Sequence, residues 1–118
     1  MSTISNLEDL QRALRDFVHA REWDQFHNPK NLASALVVEA GELLEPFQWL
    51  TPEQADTLTS EVRGEVELEI ADVLLLLLRL CDRLGVDPVA AAARKLALNE
   101  HKYPVDKSRG RSTKYDKL

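Results

Sequence analysis

The chain carries one cysteine, Cys81, so no disulfide can form within it and its stability must come from packing. Four glycines and five prolines in 118 residues are too few for a turn-rich all-β fold. The longest unbroken apolar run, Val73 to Leu78, falls far short of the roughly 20 residues that span a bilayer. Met1-Ser2-Thr3-Ile4-Ser5 has neither the basic nor the apolar segment of a signal peptide. These absences point to a cytoplasmic protein with no membrane partner. No strand-like alternation, internal repeat or low-complexity tract breaks the pattern.

Hydrophobic residues make up 44% of the chain, enough for one core in one domain. The net charge of −5 is unevenly spread. From His101 to Leu118, six Lys or Arg stand against two Asp, so this tail carries +4 and residues 1–100 carry −9. An acidic body is a poor partner for duplex nucleic acid. A short basic tail on such a body suits a small polyanion.

Four main helices are predicted. Ser5-Asn6-Leu7-Glu8 reads as a capping box, and Leu7, Leu10, Leu14, Phe17 and Val18 form the stripe of a first helix to about Glu22. A loop, Trp23 to His27, follows. Asn28-Pro29 opens a second helix to about Trp49, with Leu32, Leu36, Leu43, Leu44 and Phe47 apolar. Thr51-Pro52 begins a short helical connection. The third helix covers Glu65 to Leu84, its start blurred by Gly64 and its end marked by Gly85. Asp87-Pro88 caps a fourth, which runs to about Glu100. The expected fold is an all-α four-helix bundle over residues 1–100, with 101–118 as a basic tail. From Ile70 to Cys81 the third helix is apolar nearly all round, more than three neighbours can cover, which predicts a homo-oligomer.

Four carboxylates interrupt these apolar stripes as two pairs: Glu39 and Glu42 on the second helix, Glu69 and Asp72 on the third. Spacing i, i+3 puts the members of each pair on one helix face. A carboxylate in apolar surroundings costs several kcal/mol unless it is paired or binds a cation. Arg79 and Lys95 are candidate ion-pair partners, but two cations hardly serve four acids. A metal is the stronger reading. Zinc would want His or Cys, and a di-iron bundle would show Glu-x-x-His; neither is present at useful spacing. An all-oxygen site favours Mg²⁺, with Mn²⁺ as the alternative, and hence phosphate chemistry. Glu45 extends the first row, and Glu67 reads as a solvated charge.

The pattern Glu39-x-x-Glu42, 26 intervening residues, then Glu69-x-x-Asp72 resembles the MazG-like all-α nucleotide pyrophosphohydrolases. The segments Glu22 to Leu32, Phe47-Gln48-Trp49, Lys95-x-x-x-Asn99-x-x-Lys102-Tyr103-Pro104 and Ser112-Thr113-Lys114-Tyr115 are similar to the dCTP pyrophosphatase branch. The resemblance covers nearly the whole chain from Leu7. It implies Mg²⁺-dependent hydrolysis of a nucleoside triphosphate, dCTP or a modified pyrimidine nucleotide, to monophosphate and pyrophosphate, a clearing of unwanted nucleotides. By position, Glu39, Glu42, Glu69 and Asp72 would hold the metal and form the catalytic set. Lys95, Asn99, Tyr103, Arg111 and Lys114 would approach the phosphates. Trp23, His27 and Trp49 would border the base. The family also implies dimers, often paired into tetramers. The chain departs from the animal dCTP enzymes in carrying Leu14 in place of a histidine and Leu76 in place of a tyrosine, which predicts looser discrimination between bases.

The expected reaction is attack of water on the α-phosphorus, with Glu39 or Glu42 accepting the proton. Two rival readings are a non-enzymatic helical interaction protein and a superfamily relative acting on dUTP or phosphoribosyl-ATP.

Overall fold

The computed structural model describes residues 3–118; the reading of Met1-Ser2 at the N-terminus lies outside them. All regular structure among the described residues is helical. Helix α1 spans Leu7–Ala20, α2 Pro29–Leu44, α3 Pro52–Asp56, α4 Ser60–Leu84, α5 Pro88–Lys102 and α6 Val105–Ser108. Short 3₁₀ turns cover Trp23–Phe26, Glu45–Phe47 and Tyr115–Lys117.

Each start and stop has a local cause. Asn6, not Ser5, caps α1: its side chain accepts from the Asp9 N–H at 2.8 Å. The expected Ser5–Glu8 box does not form, and the cap is the single Asn6 side-chain bond. Ser5 instead donates its N–H and its hydroxyl to the Asp9 carboxylate, at 3.2 and 2.9 Å. Helix α2 ends at Leu44 rather than Trp49, because Pro46 has no N–H to continue the ladder and the chain tightens into a 3₁₀ turn. Helix α4 begins well before Glu65: the Thr59 hydroxyl accepts from the Val62 N–H at 3.2 Å, and Gly64 is carried inside the helix. It stops at Gly85, which takes the left-handed conformation with φ 66°.

The chain divides into two compact units, Met1–Gly85 and Val86–Leu118. In the first, α2 packs along α4, and α1 lies against α4. Val18, Leu32, Val66, Leu78 and Cys81 are buried there. Cys81 is a free thiol, as its place in an apolar run suggests. The second unit consists of α5, capped by the Asp87 carboxylate at the Val89 and Ala90 N–H groups, and the chain after it. Within that unit Tyr103 meets Tyr115 edge to face at 6.0 Å, and the Lys102 ammonium lies 4.6 Å from the Tyr115 ring centre. No helix among the described residues is long and apolar enough to cross a membrane.

Candidate active site

The α2–α4 contact brings the acidic rows together. Glu39 from α2 and Glu69 and Asp72 from α4 each offer a carboxylate oxygen within 4.8 Å of the others. Glu42, half-buried one turn after Glu39, adds a fourth carboxyl beside them. One oxygen each of Glu39 and Glu69 (Oε2 in both) is buried with no hydrogen-bond partner among the described residues. None of the four acids takes part in an ion pair there. The crowding shows in proton affinity. The Glu39 carboxyl is pushed up to about 7, first by the proton it would share with Glu42, then by burial, then by the negative charges of Glu42, Asp72 and Glu69. Glu69 is raised as well, mainly by burial and then by Glu42 and Asp72. Unpaired, desolvated and mutually repelling oxygens with no His or Cys among them fit a hard divalent cation.

Arg79 is not the counter-ion of this cluster. It lies seven residues beyond Asp72 on α4, about 10 Å along the axis. Its guanidinium instead binds Asp24 and, at 3.1 Å, Asp82, and donates to Nδ1 of His27 at 3.1 Å. Asp82 also accepts from Arg15 Nε at 2.6 Å. Sequence reasoning missed this network. Its one signal was an arginine inside the run Leu74–Cys81, which needs partners wherever the chain can supply them. Glu67 pairs with Arg63 at 3.4 Å on the helix surface, as a solvated charge should.

A cavity of about 300 Å³ runs between these two polar clusters. Glu39 and Asp72 line one end. Trp23, His27 and Arg79 line the other, with Leu14, Phe17 and Val18 of α1 and Leu75 and Leu76 of α4 along the wall. The Trp23 ring is held edge-on to Phe17 at 5.7 Å and tilted against His27 at 6.2 Å. The turn that carries them is tied to α2: Asn28 caps the helix, and Asn31 Nδ2 donates to the Phe26 carbonyl. Leu14 and Leu76 thus both face the cavity as lining residues. Trp49 does not line it; the residue is 87% exposed after the 3₁₀ turn that closes α2. Of the predicted phosphate-contacting residues, Lys95 and Asn99 lie one turn apart on α5, and Tyr103 ends that helix. Arg111 is exposed, and Lys114 precedes the last 3₁₀ turn.

A family model described as MazG-like matches residues 35–118, a span that includes all four acids. The chain belongs to the MazG-like family. Among its relatives, dCTP pyrophosphatase 1 of Bos taurus is 40% identical over 119 residues, covering 99% of this chain and 70% of the relative. The Homo sapiens dCTP pyrophosphatase 1 is 40% identical over 114 residues, covering 95% and 67%. The crystal structure of a pyrophosphatase from Archaeoglobus fulgidus superposes with a TM-score of 0.80 at 43% identity, covering 88% of this chain and 97% of that one. The MazG-like fold of this chain is therefore shared with a solved pyrophosphatase, and the acidic cluster lies where α2 and α4 of that fold meet.

Proposed function

We propose that this MazG-like chain is a nucleoside triphosphate pyrophosphohydrolase that cleaves dCTP or a related pyrimidine nucleotide to the monophosphate and pyrophosphate. The observation that carries the reading is the cluster of Glu39, Glu69 and Asp72, with two buried oxygens lacking partners, at one end of an apolar cavity walled by an aromatic ring and a histidine at the other. The names of the relatives at 40% identity supply the reaction class.

Glu39, Glu42, Glu69 and Asp72 would hold the metal, for which we propose Mg²⁺, with Mn²⁺ as a substitute of the same ligand preference. When bound, the ion supplies charge neutralisation and lowers the pKa of water at neutral pH. The chain's own groups do the rest. With the cation bound and their protons displaced, one of the carboxylates beside it, Glu39 or Glu42, would accept the proton of the attacking water. Trp23 offers a flat apolar face on which a base can stack, worth about 1–3 kcal/mol in single-stranded nucleic-acid binding. The same reading assigns the triphosphate's remaining charge to Lys95, Arg111 and Lys114, with Asn99 and Tyr103 as hydrogen-bonding groups. Free, buried Cys81 agrees with a reducing, cytoplasmic setting. The exposed apolar stripe of α4 supports a homodimer or homotetramer, in which Trp49 would be covered.

A wider choice of bases is favoured by Leu14 and Leu76 on the cavity wall, neither of which can hydrogen-bond to a base. The deciding experiment is a product assay with Mg²⁺ over a panel of canonical and modified nucleoside triphosphates. Release of pyrophosphate and monophosphate is expected, abolished by EDTA and reduced at least about 100-fold by Asp72→Asn with helicity unchanged. Turnover of no triphosphate would move the assignment to a phosphoribosyl substrate or to a purely structural role.

A further inference from the structure

Arg79 is a buried cation, 5% exposed, that the proposed hydrolysis does not use. Each of its three nitrogens has a fixed acceptor: Asp24, Asp82 and Nδ1 of His27. We propose that Arg79 is a positioning residue that holds His27 as a neutral ring with its proton on Nε2, so that the cavity presents the substrate base with a hydrogen-bond donor and selects a pyrimidine edge that accepts.

The argument follows from what a guanidinium can do. It has N–H groups and no lone pair to share, so it donates and never accepts. The 3.1 Å contact from Arg79 Nε therefore requires a lone pair on Nδ1. A neutral imidazole then carries its hydrogen on Nε2, and a doubly protonated ring is incompatible with the contact. Burial, followed by the Arg79 charge, lowers the proton affinity of His27 in the same direction. Asp24 and Asp82 balance Arg79, so the guanidinium is held in place without drawing on the acids of the metal cluster.

The hydrogen bonds among the described residues leave Nε2 without an acceptor, and His27 lines the cavity. Around it the wall is Leu14, Phe17, Leu76 and the Trp23 ring. Arg79 gives its Nε, Nη1 and Nη2 bonds to His27, Asp82 and Asp24, and the side chains of Leu14, Phe17, Leu76 and Trp23 carry no acceptor, so the polar group His27 presents here is its Nε2–H donor. A ring nitrogen lone pair or a carbonyl, such as N3 or O2 of cytosine, satisfies the donor. An exocyclic amine turned toward it would lose its water and gain nothing.

This inference rests on the proposed nucleotide substrate, and its test separates the two. In the full-length wild type, long-range ¹⁵N–¹H correlation spectra at about pH 7 should show His27 with Nδ1 bare and Nε2 protonated. A proton on Nδ1, or on both nitrogens, overturns the proposal. In Mg²⁺-supported turnover of dCTP, His27→Leu should raise KM about tenfold with kcat within about twofold, the signature of lost uniform binding. His27→Gln, whose amide nitrogen can stand in for Nε2, should recover most of that loss. Arg79→Lys should keep a charge between Asp24 and Asp82 while releasing the ring to a mixture of tautomers; should it fail to fold, the wild-type spectrum and the His27 pair still decide. An unchanged KM in His27→Leu, in an enzyme that turns over dCTP, overturns this inference and leaves the functional reading standing. A wild type that hydrolyses no triphosphate overturns both.

Discussion

Glu39 shows how a single side chain reports on what the site is for. Left without a cation, it keeps its proton up to about 7, whereas in an unfolded chain it would lose it near 4.5. Between those values the folded state binds more protons than the unfolded one, so the metal-free protein should lose stability as pH rises from about 4.5 through about 7. A cation binding there must displace that proton. Titration calorimetry with Mg²⁺ in buffers of different ionisation enthalpy should therefore detect on the order of one proton released at about pH 6 and little at about pH 8.5. Binding with no proton release at the lower pH would remove Glu39 from the ligand set. The acids themselves were legible in the sequence, because i, i+3 spacing fixes a helix face and apolar neighbours make an unpaired carboxylate conspicuous. The partners of Arg79 were not. Asp24 and His27 lie more than fifty residues away in sequence, and only the docking of the Trp23–Phe26 turn beside α4 brings them to it.

Local chemistry also decided where helices begin and end, and there the sequence signals were ambiguous rather than silent. Ser5 and Asn6 are both good caps, and Glu8 and Asp9 are both acids able to reach back. The structure selects Asn6 with Asp9, leaving Ser5 outside as a donor to that carboxylate. Asn6→Ala should then cost about 1 kcal/mol in chemical denaturation, and Ser5→Ala clearly less. Equal costs would mean that the two residues share the cap. Gly64 misled in the other direction: a glycine inside a helix weakens it by about 1 kcal/mol but does not end it when Thr59 supplies a cap five residues earlier. Gly85 is different in kind, since its φ of 66° lies where a side chain is strained. Gly85→Ala should destabilise by about 1 kcal/mol, although a Cβ there would meet no atom within 4 Å. The loss would come from the backbone alone, so a smaller cost for Asn than for Ala at this position is the accompanying expectation, checked by the same denaturation series.

At the scale of the whole molecule the unresolved balance is apolar. Ile70, Leu74 and Leu77 recur at helical spacing on α4 and remain 51%, 37% and 42% exposed. At 100° per residue this stripe lies roughly half a turn around α4 from Asp72 and Arg79, so covering it need not close the cavity. On α2, Val37 and Leu44 are exposed too. A water-facing stripe of this kind on a small chain is what an interface between copies leaves behind when one copy is viewed alone. The excess of apolar residues was legible in the run from Ile70 to Cys81, but which side of it stays open depends on where α1 and α2 pack, which composition does not state. Leu74→Glu puts a charge at the centre of the stripe without touching the acids or His27. Light scattering should find the wild type as a dimer or tetramer and Leu74→Glu as a monomer of unchanged helicity. If the variant keeps the wild-type mass, this face is not the interface. If the wild type is itself monomeric, association has no part in building the site, and Trp49 loses the covering that its 87% exposure calls for.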